Sequence, residues 1–243
     1  MMGLVAIIML AMIVPVAHAE NETSGSAGVD FMSSYVWRGI EIHEDIAIQP
    51  WVGITYGGFG ANMWADYDSD PAVQEGIETD LTLNYVFSVG KFGFDAGYIY
   101  YMLDGFADTQ ELYVSAGYDI LLSPSLAFYL DIDEGNGAFI VASIGHTFSF
   151  MNDKAGINLG ASASYNIGNE VMGVDDGGDD FSDLYNGELS ASVSYAVTDA
   201  ISVEPKIAYT FPLSEDADNA IEALSENGES KHVYGGVGVS LSF

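Results

Sequence analysis

The side chains able to do chemistry in this 243-residue chain are carboxylates and a few histidines, and their spacing excludes most reactions. There is no cysteine, hence no thiolate nucleophile, thiolate metal site or disulfide framework. An acyl-hydrolysing His-x-Ser pair would need a serine two residues after His146, but HTFSF has Phe148 there. Ser149 has the opposite parity on a strand and points away. His43 and His232 stand without a recognisable partner set, and no G-x-S-x-G, HExxH or phosphate-binding loop occurs. The reading is therefore of a protein that is not an enzyme and needs no cofactor. The densest acidic stretch, GVDDGGDDFSD, offers Asp175, Asp176, Asp179, Asp180 and Asp183 as hard oxygen ligands of the kind calcium accepts. It lacks the closing glutamate and flanking helices of a twelve-residue calcium loop. A solvated acidic loop is the first reading, with weak divalent bridging to lipid phosphates as the alternative.

The carboxylates matter more as a field. Thirty-six acids stand against five bases, Arg38, Lys91, Lys154, Lys206 and Lys231, for a formal charge of −31. Such a surface repels nucleic acid and attracts cations. Yet 49% of the residues are hydrophobic and 13% aromatic, too much apolar surface for a solvated polyanion. The two populations must be held apart.

Alternation along the chain holds them apart. Apolar residues recur at every second position in twelve runs, the period of a strand with one apolar face. The first is Val29, Phe31, Tyr35, Trp37; then come Ile46 to Tyr56, Phe59 to Tyr67, Leu81 to Val89, Phe92 to Tyr100 and Leu112 to Ile120. Leu126 to Ile132, Ile140 to Phe150, Ile157 to Ile167, Leu189 to Val197, Ile201 to Phe211 and Val233 to Phe243 complete the set. Most run about nine to eleven residues, enough for a tilted strand to cross a bilayer. Strands of water-soluble domains average about five or six. Connections alternate as well. Short turns such as Gly57-Gly58, Gly90-Lys91 and Thr198 to Ala200 interleave with longer loops at Asp68 to Asp80, Gly168 to Glu188 and Pro212 to His232. The longest loops carry the acids, while Lys91 and Lys154 lie at the turn end. This predicts an all-β, antiparallel transmembrane barrel of about twelve strands in the bacterial outer membrane, with long loops extracellular and both termini periplasmic. A soluble β-sandwich is the competing architecture.

If the apolar face meets lipid, the intervening residues line the lumen. Parity then sends Arg38, Asp66, Asp95, Glu111, Asp119, Asp131, Glu188, Glu204 and Lys206 inward, with Asp30 and Asp133 beside them. Glu204 and Lys206, two positions apart on one face, are within pairing reach. A lumen this acidic should concentrate cations. Trp51, Trp64, Tyr101, Tyr113, Tyr129 and Tyr234 also point inward. Two readings follow: a water-filled pore, or a barrel filled by aromatics whose carboxylates are hydrogen-bonded and structural.

The ends of the chain fit the same picture. Gly3 to Ala17 is an apolar run, and Ala17-His18-Ala19 has the small-x-small form of a cleavage site, so residues 1–19 read as a signal peptide and residues 20–243 as the barrel. The run lacks the usual positive flank. At the other end GVGVSLSF presents Val237, Val239, Leu241 and Phe243 to lipid, and is expected to close the barrel against the first strand near Val29 to Trp37.

Two stretches carry a family resemblance. SSYVWRGIEIHEDIAIQPWVGITYGGFGANMWADYD and IETDLTLNYVFSVGKFGFDAGYIYYM resemble the proteobacterial TorF-type porin family, through Tyr35-Val36-Trp37-Arg38-Gly39, Glu78-Thr79-Asp80-Leu81 and Tyr98-Ile99-Tyr100-Tyr101. The resemblance covers about the first half of the chain. It implies an outer-membrane barrel of porin architecture and draws attention to Arg38, which would pair with a lumenal carboxylate such as Asp66 or form part of a constriction. The terminal Phe243 is similar to the C-terminal signal by which such barrels are recognised for assembly. The expected function is an outer-membrane channel for small cationic or neutral solutes. Its expected partners are membrane lipid, lipopolysaccharide and the barrel assembly machinery, with no nucleic acid. The alternative is a closed structural or adhesive barrel with acidic loops.

Overall fold

The computed structural model describes residues 23–69 and 78–243. The expected signal peptide, and the acids Asp70 and Glu75 of one loop, lie outside the described residues. Among the described residues fourteen strands run in chain order: β1 (Thr23–Met32), β2 (Tyr35–Trp37), β3 (Ile40–His43), β4 (Ala47–Tyr56), β5 (Phe59–Asp68), β6 (Glu78–Val89) and β7 (Phe92–Leu103). They continue with β8 (Thr109–Tyr118), β9 (Ser125–Asp131), β10 (Ala138–Phe150), β11 (Ala155–Ile167), β12 (Leu184–Ala196), β13 (Ile201–Pro212) and β14 (His232–Ser242). The helix α1 (Glu215–Leu224) stands before the last strand.

Twelve of these strands form a closed antiparallel barrel, in the order β1, β4 and so on through β14, which returns to β1. Closure leaves no unpaired edge, the condition a sheet must meet in hydrocarbon. The seam pairs Ser26 with Ser242 through Met32 with Gly236. Beyond it, Gly25 N–H donates to the Phe243 carbonyl at 2.8 Å and Phe243 N–H donates to the Gly25 carbonyl at 2.9 Å. Phe243 is therefore tied into the wall.

The alternation has the expected consequence. Val52, Ile54, Met63, Leu81, Leu83, Leu112, Val114, Leu126, Ile157 and Leu159 are exposed on the outer face. At the turn end this aliphatic band gives way to aromatic contacts, Phe59–Tyr85 and Phe92–Tyr118 at 4.7 Å and Phe87–Phe94 at 4.9 Å. At the loop end Tyr67, Tyr165 and Tyr209 are exposed. An apolar band between aromatic girdles is the profile of a lipid-facing barrel wall.

The first strand differs from expectation. β1 begins at Thr23 and ends at Met32, so Tyr35 and Trp37 are not lipid-facing. They belong to the β2–β3 hairpin, in which Tyr35, Val36, Ile40 and His43 are buried within the lumen. The alternation shows the break: it skips Ser33, and three consecutive apolar residues then follow at Tyr35, Val36 and Trp37. A segment apolar on both sides cannot serve a wall that is polar on one. The turn is Arg38-Gly39, with φ of +49° and +93°. Positive φ at both central residues matches the twist of a two-residue hairpin. A Cβ at residue 39 would also meet the Asn186 Cβ at 3.1 Å and Ile221 Cδ1 at 3.3 Å.

The helix lies within the stretch Pro212 to His232 expected to be loop, its apolar spacing masked by the acids around it. Ser214 caps it by accepting from Ala217 N–H, acids fill its first turn, and Ala217, Ala220 and Ile221 are buried. That face packs inward, next to the hairpin turn at Gly39.

Candidate functional site

The lumen has two halves. Towards the turn end its lining is small and polar: Ser26, Asn62, Asn84 and Ser192 are half-buried, and so are the acids Asp95 and Glu204. Asp95 accepts from Asn84 Nδ2 at 2.9 Å and from the Tyr113 hydroxyl at 3.1 Å. Glu204 accepts from the Ser192 hydroxyl at 2.5 Å. β7 and β13 stand six places apart in the ring of twelve, on opposite walls. Each carries its acid three residues from the turn end of its strand. The two carboxylates thus sit on opposite walls at the same depth.

Towards the loop end the lumen is filled. The β2–β3 hairpin folds into it from β1, and the loop after β11, with a short 3-10 turn at Glu170–Met172, covers it from the other side. Met172, Phe181, Tyr185, Ala217 and Ile221 share a buried cluster with Ile40, Tyr101, Tyr129 and Phe139. Backbone and side-chain bonds join the cap's parts. Glu226 N–H donates to the Glu41 carbonyl at 2.9 Å, and Glu41 N–H donates to Ser225 Oγ at 3.1 Å. The Asn227 amide also donates to the Glu41 carboxylate, which lies 3.6 Å from His232 Nδ1.

Three polar anchors fasten the hairpin to the wall. The Tyr35 hydroxyl donates to Glu78 at 2.8 Å. His43 Nε2 lies 2.8 Å from Asp66, which also accepts from Gln49 at 2.8 Å. Burial opposes the charged imidazole, but the hydrogen bond and charge of Asp66, with Asp68 nearby, outweigh it and hold the His43 pKa above its ordinary value. Arg38 Nη2 donates to Glu111 at 2.8 Å, and its guanidinium lies over Trp37 and Phe139, both at 4.5 Å, and Tyr129 at 5.1 Å.

The expected lumenal residues fall as follows. Asp66, Glu111 and Asp131 are inward but sealed, Asp131 accepting from Thr109 Oγ1 at 2.8 Å. Glu188 is half-buried and accepts from the Tyr234 hydroxyl at 2.7 Å. Arg38 pairs with Glu111 and not with Asp66, because the hairpin turn delivers it to β8, while His43 at the hairpin's far end takes Asp66. Lys206 does not pair with Glu204. Its Nζ reaches Asp30 at 2.5 Å, across Gly238, whose missing side chain leaves the space. Asp119 does not line the lumen: β8 ends at Tyr118, and Asp119 is exposed in the following turn. His43 and His232, read as lacking partners, both have them.

The acidic loop does not gather its carboxylates. Asp175 caps its own turn through Gly177 and Asp179 N–H, Asp176 accepts from Asn219, and Asp183 accepts from Leu184 N–H. Asp180 sits in an isolated bridge to Val174. Among the described residues no three histidines or carboxylates converge as a metal would require.

A twelve-strand barrel with an apolar outer band, aromatic girdles and a polar lumen defines the class: the fold of outer-membrane porins. Solved structures agree. The KdgM porin matches with a TM-score of 0.57 at 13% identity, over 90% of this chain and 99% of that one. The NanC porin matches at 0.53 and 13% identity, over 89% and 98%. An outer-membrane channel from Pseudomonas putida F1 matches at 0.51 and 10% identity, over 93% and 97%. No protein-family model matches the chain, and no curated protein matches its sequence. At these identities what is shared is the fold.

Proposed function

We propose that this protein is a TorF-type, porin-like channel of the bacterial outer membrane that passes small solutes passively and prefers cations. One observation carries the preference. Both bases in the lumen are already neutralised, Arg38 by Glu111 and Lys206 by Asp30, while Asp95 and Glu204 face the open half with no cationic partner among the described contacts. A negative potential focused between low-dielectric walls draws cations and turns anions away. The KdgM porin is known in complex with disordered oligogalacturonate, an acidic sugar polymer. The charge of this lumen argues against a ligand of that sign here. The loop end would face outward and the termini inward, with the surrounding lipid and lipopolysaccharide held by the apolar band and girdles.

Planar-bilayer recording of the refolded protein tests the reading. A salt gradient should give a reversal potential on the cation side, and Asp95→Asn with Glu204→Gln should move it towards zero. An anion-side potential, or one that ignores both substitutions, sinks the cation reading. The cap favours a second reading, a closed structural barrel with an acidic surface. It predicts no conductance at any voltage.

A further inference from the structure

The contact that fastens the hairpin is imperfect in a specific way. Arg38 and Glu111 are sealed from solvent, with side-chain exposures of 7% and 1%. A guanidinium and a carboxylate are shaped to meet at two points. Here only Nη2 and Oε2 meet; Arg38 Nη1 and Glu111 Oε1 are both buried without a partner among the described residues. Leaving such groups unsatisfied is costly. Arg38 also sits at a φ of +49°, a conformation that a non-glycine residue adopts at a cost. The side chain reaches the pocket from a tether that does not let it bind well.

The pocket itself belongs to the wall. Tyr101 on β7, Glu111 on β8, Tyr129 on β9 and Phe139 on β10 come from four adjacent strands, and the Tyr101 hydroxyl orients Glu111 with a bond of 2.8 Å. A buried carboxylate among aromatic faces is a receptor for a flat organic cation. It also has an approach. Tyr113 donates to half-buried Asp95 and stacks on Tyr129 at 5.7 Å, so a ladder of acid and aromatic leads from the open half-lumen to Glu111.

The geometry points to a guanidinium-binding site on the inner wall, centred on Glu111, that Arg38 occupies as a tethered surrogate. A solute bearing a guanidinium group takes the pocket when the hairpin lifts, and makes the two-point contact that Arg38 does not. As a transport site this rests on the channel reading above; as a binding site it does not.

Isothermal titration of the detergent-refolded barrel with methylguanidinium chloride tests it, with folding checked by heat-modifiable migration. Arg38→Ala should bind methylguanidinium saturably, and adding Glu111→Gln should weaken that binding at least about tenfold, the loss of a charge-assisted contact of roughly 1.4 kcal/mol. Wild type should bind more weakly than Arg38→Ala, since its own side chain must leave. Hydrogen exchange on wild type guards against a variant that fails to fold: methylguanidinium should speed exchange of the Tyr35–His43 amides, and sodium at the same concentration should not. Absence of saturable binding in a folded Arg38→Ala barrel, binding indifferent to Glu111→Gln, or wild-type exchange unmoved by methylguanidinium overturns the inference. None of these measurements needs conductance, so a barrel that binds but does not conduct would keep the site and refute the channel.

Discussion

Replacing Lys206 with methionine probes whether the buried Asp30–Lys206 pair holds the seam region together. Nζ and Oδ1 are 2.5 Å apart, and the two side chains are almost sealed. At an effective dielectric of about 20 that separation corresponds to a gross attraction of about 7 kcal/mol, most of it offset by the desolvation of both ions. Methionine keeps the length of the side chain and removes the charge. Asp30 would then be buried without its partner, and Glu204 lies in the same register across Gly238, adding repulsion. The expected loss is about 3–5 kcal/mol, the cost of breaking a buried pair from one side. Urea unfolding of protein refolded into phospholipid vesicles, followed by tryptophan fluorescence, measures it. Adding Asp30→Asn to Lys206→Met should recover most of the loss, since the uncompensated charge goes with it. A loss below about 1 kcal/mol, the scale of an exposed pair, refutes the reasoning, as does a double variant no more stable than the single one.

Other expectations concern the cap and the chain's end. The raised pKa of His43 means its contribution is complete below its ordinary value of about 6.5 and is lost as pH rises through the raised value. Protection of the hairpin amides should therefore fall on the alkaline side, and His43→Gln should flatten the profile. Gly39→Val would force a side chain against Asn186 and Ile221 at a φ of +93°, a strain of about 1–3 kcal/mol. It should loosen the hairpin and raise conductance, seen as larger or more frequent openings in bilayer recordings. Deleting Phe243 removes both Gly25 bonds and should slow insertion into vesicles more than it alters the selectivity of barrels that do form.

Parity was legible because lipid enforces it: every wall strand must show hydrocarbon one face and the lumen the other, so Glu111, Asp131 and Tyr129 could be placed inward by counting. The cap was not legible, because loops obey no such period. Tyr35 and Trp37 matched the alternation by accident of spacing across Ser33, although the apolar Val36 between them signals a segment buried on both faces. The Ser214 cap followed by Ala217, Ala220, Ile221 and Leu224 was a readable helix hidden among acids. Which carboxylate each base chooses depends on the third dimension. The Asp30–Lys206 pair needs the bare backbone of Gly238 between two strands far apart in sequence, and only the register supplies it.

The bonds between Gly25 and Phe243 set an order of events. They fasten β1 to Phe243, so the cylinder is completed only after Phe243 is in hand. Until then β1 has β4 on one side and an open, adhesive edge on the other. The cap waits as well, since Glu41 finds Ser225, Asn227 and His232 in the same closing stretch. Sealing the wall and stoppering the lumen are thus one late step, and a chain stalled a few residues short would be both sticky at its edge and open through its middle.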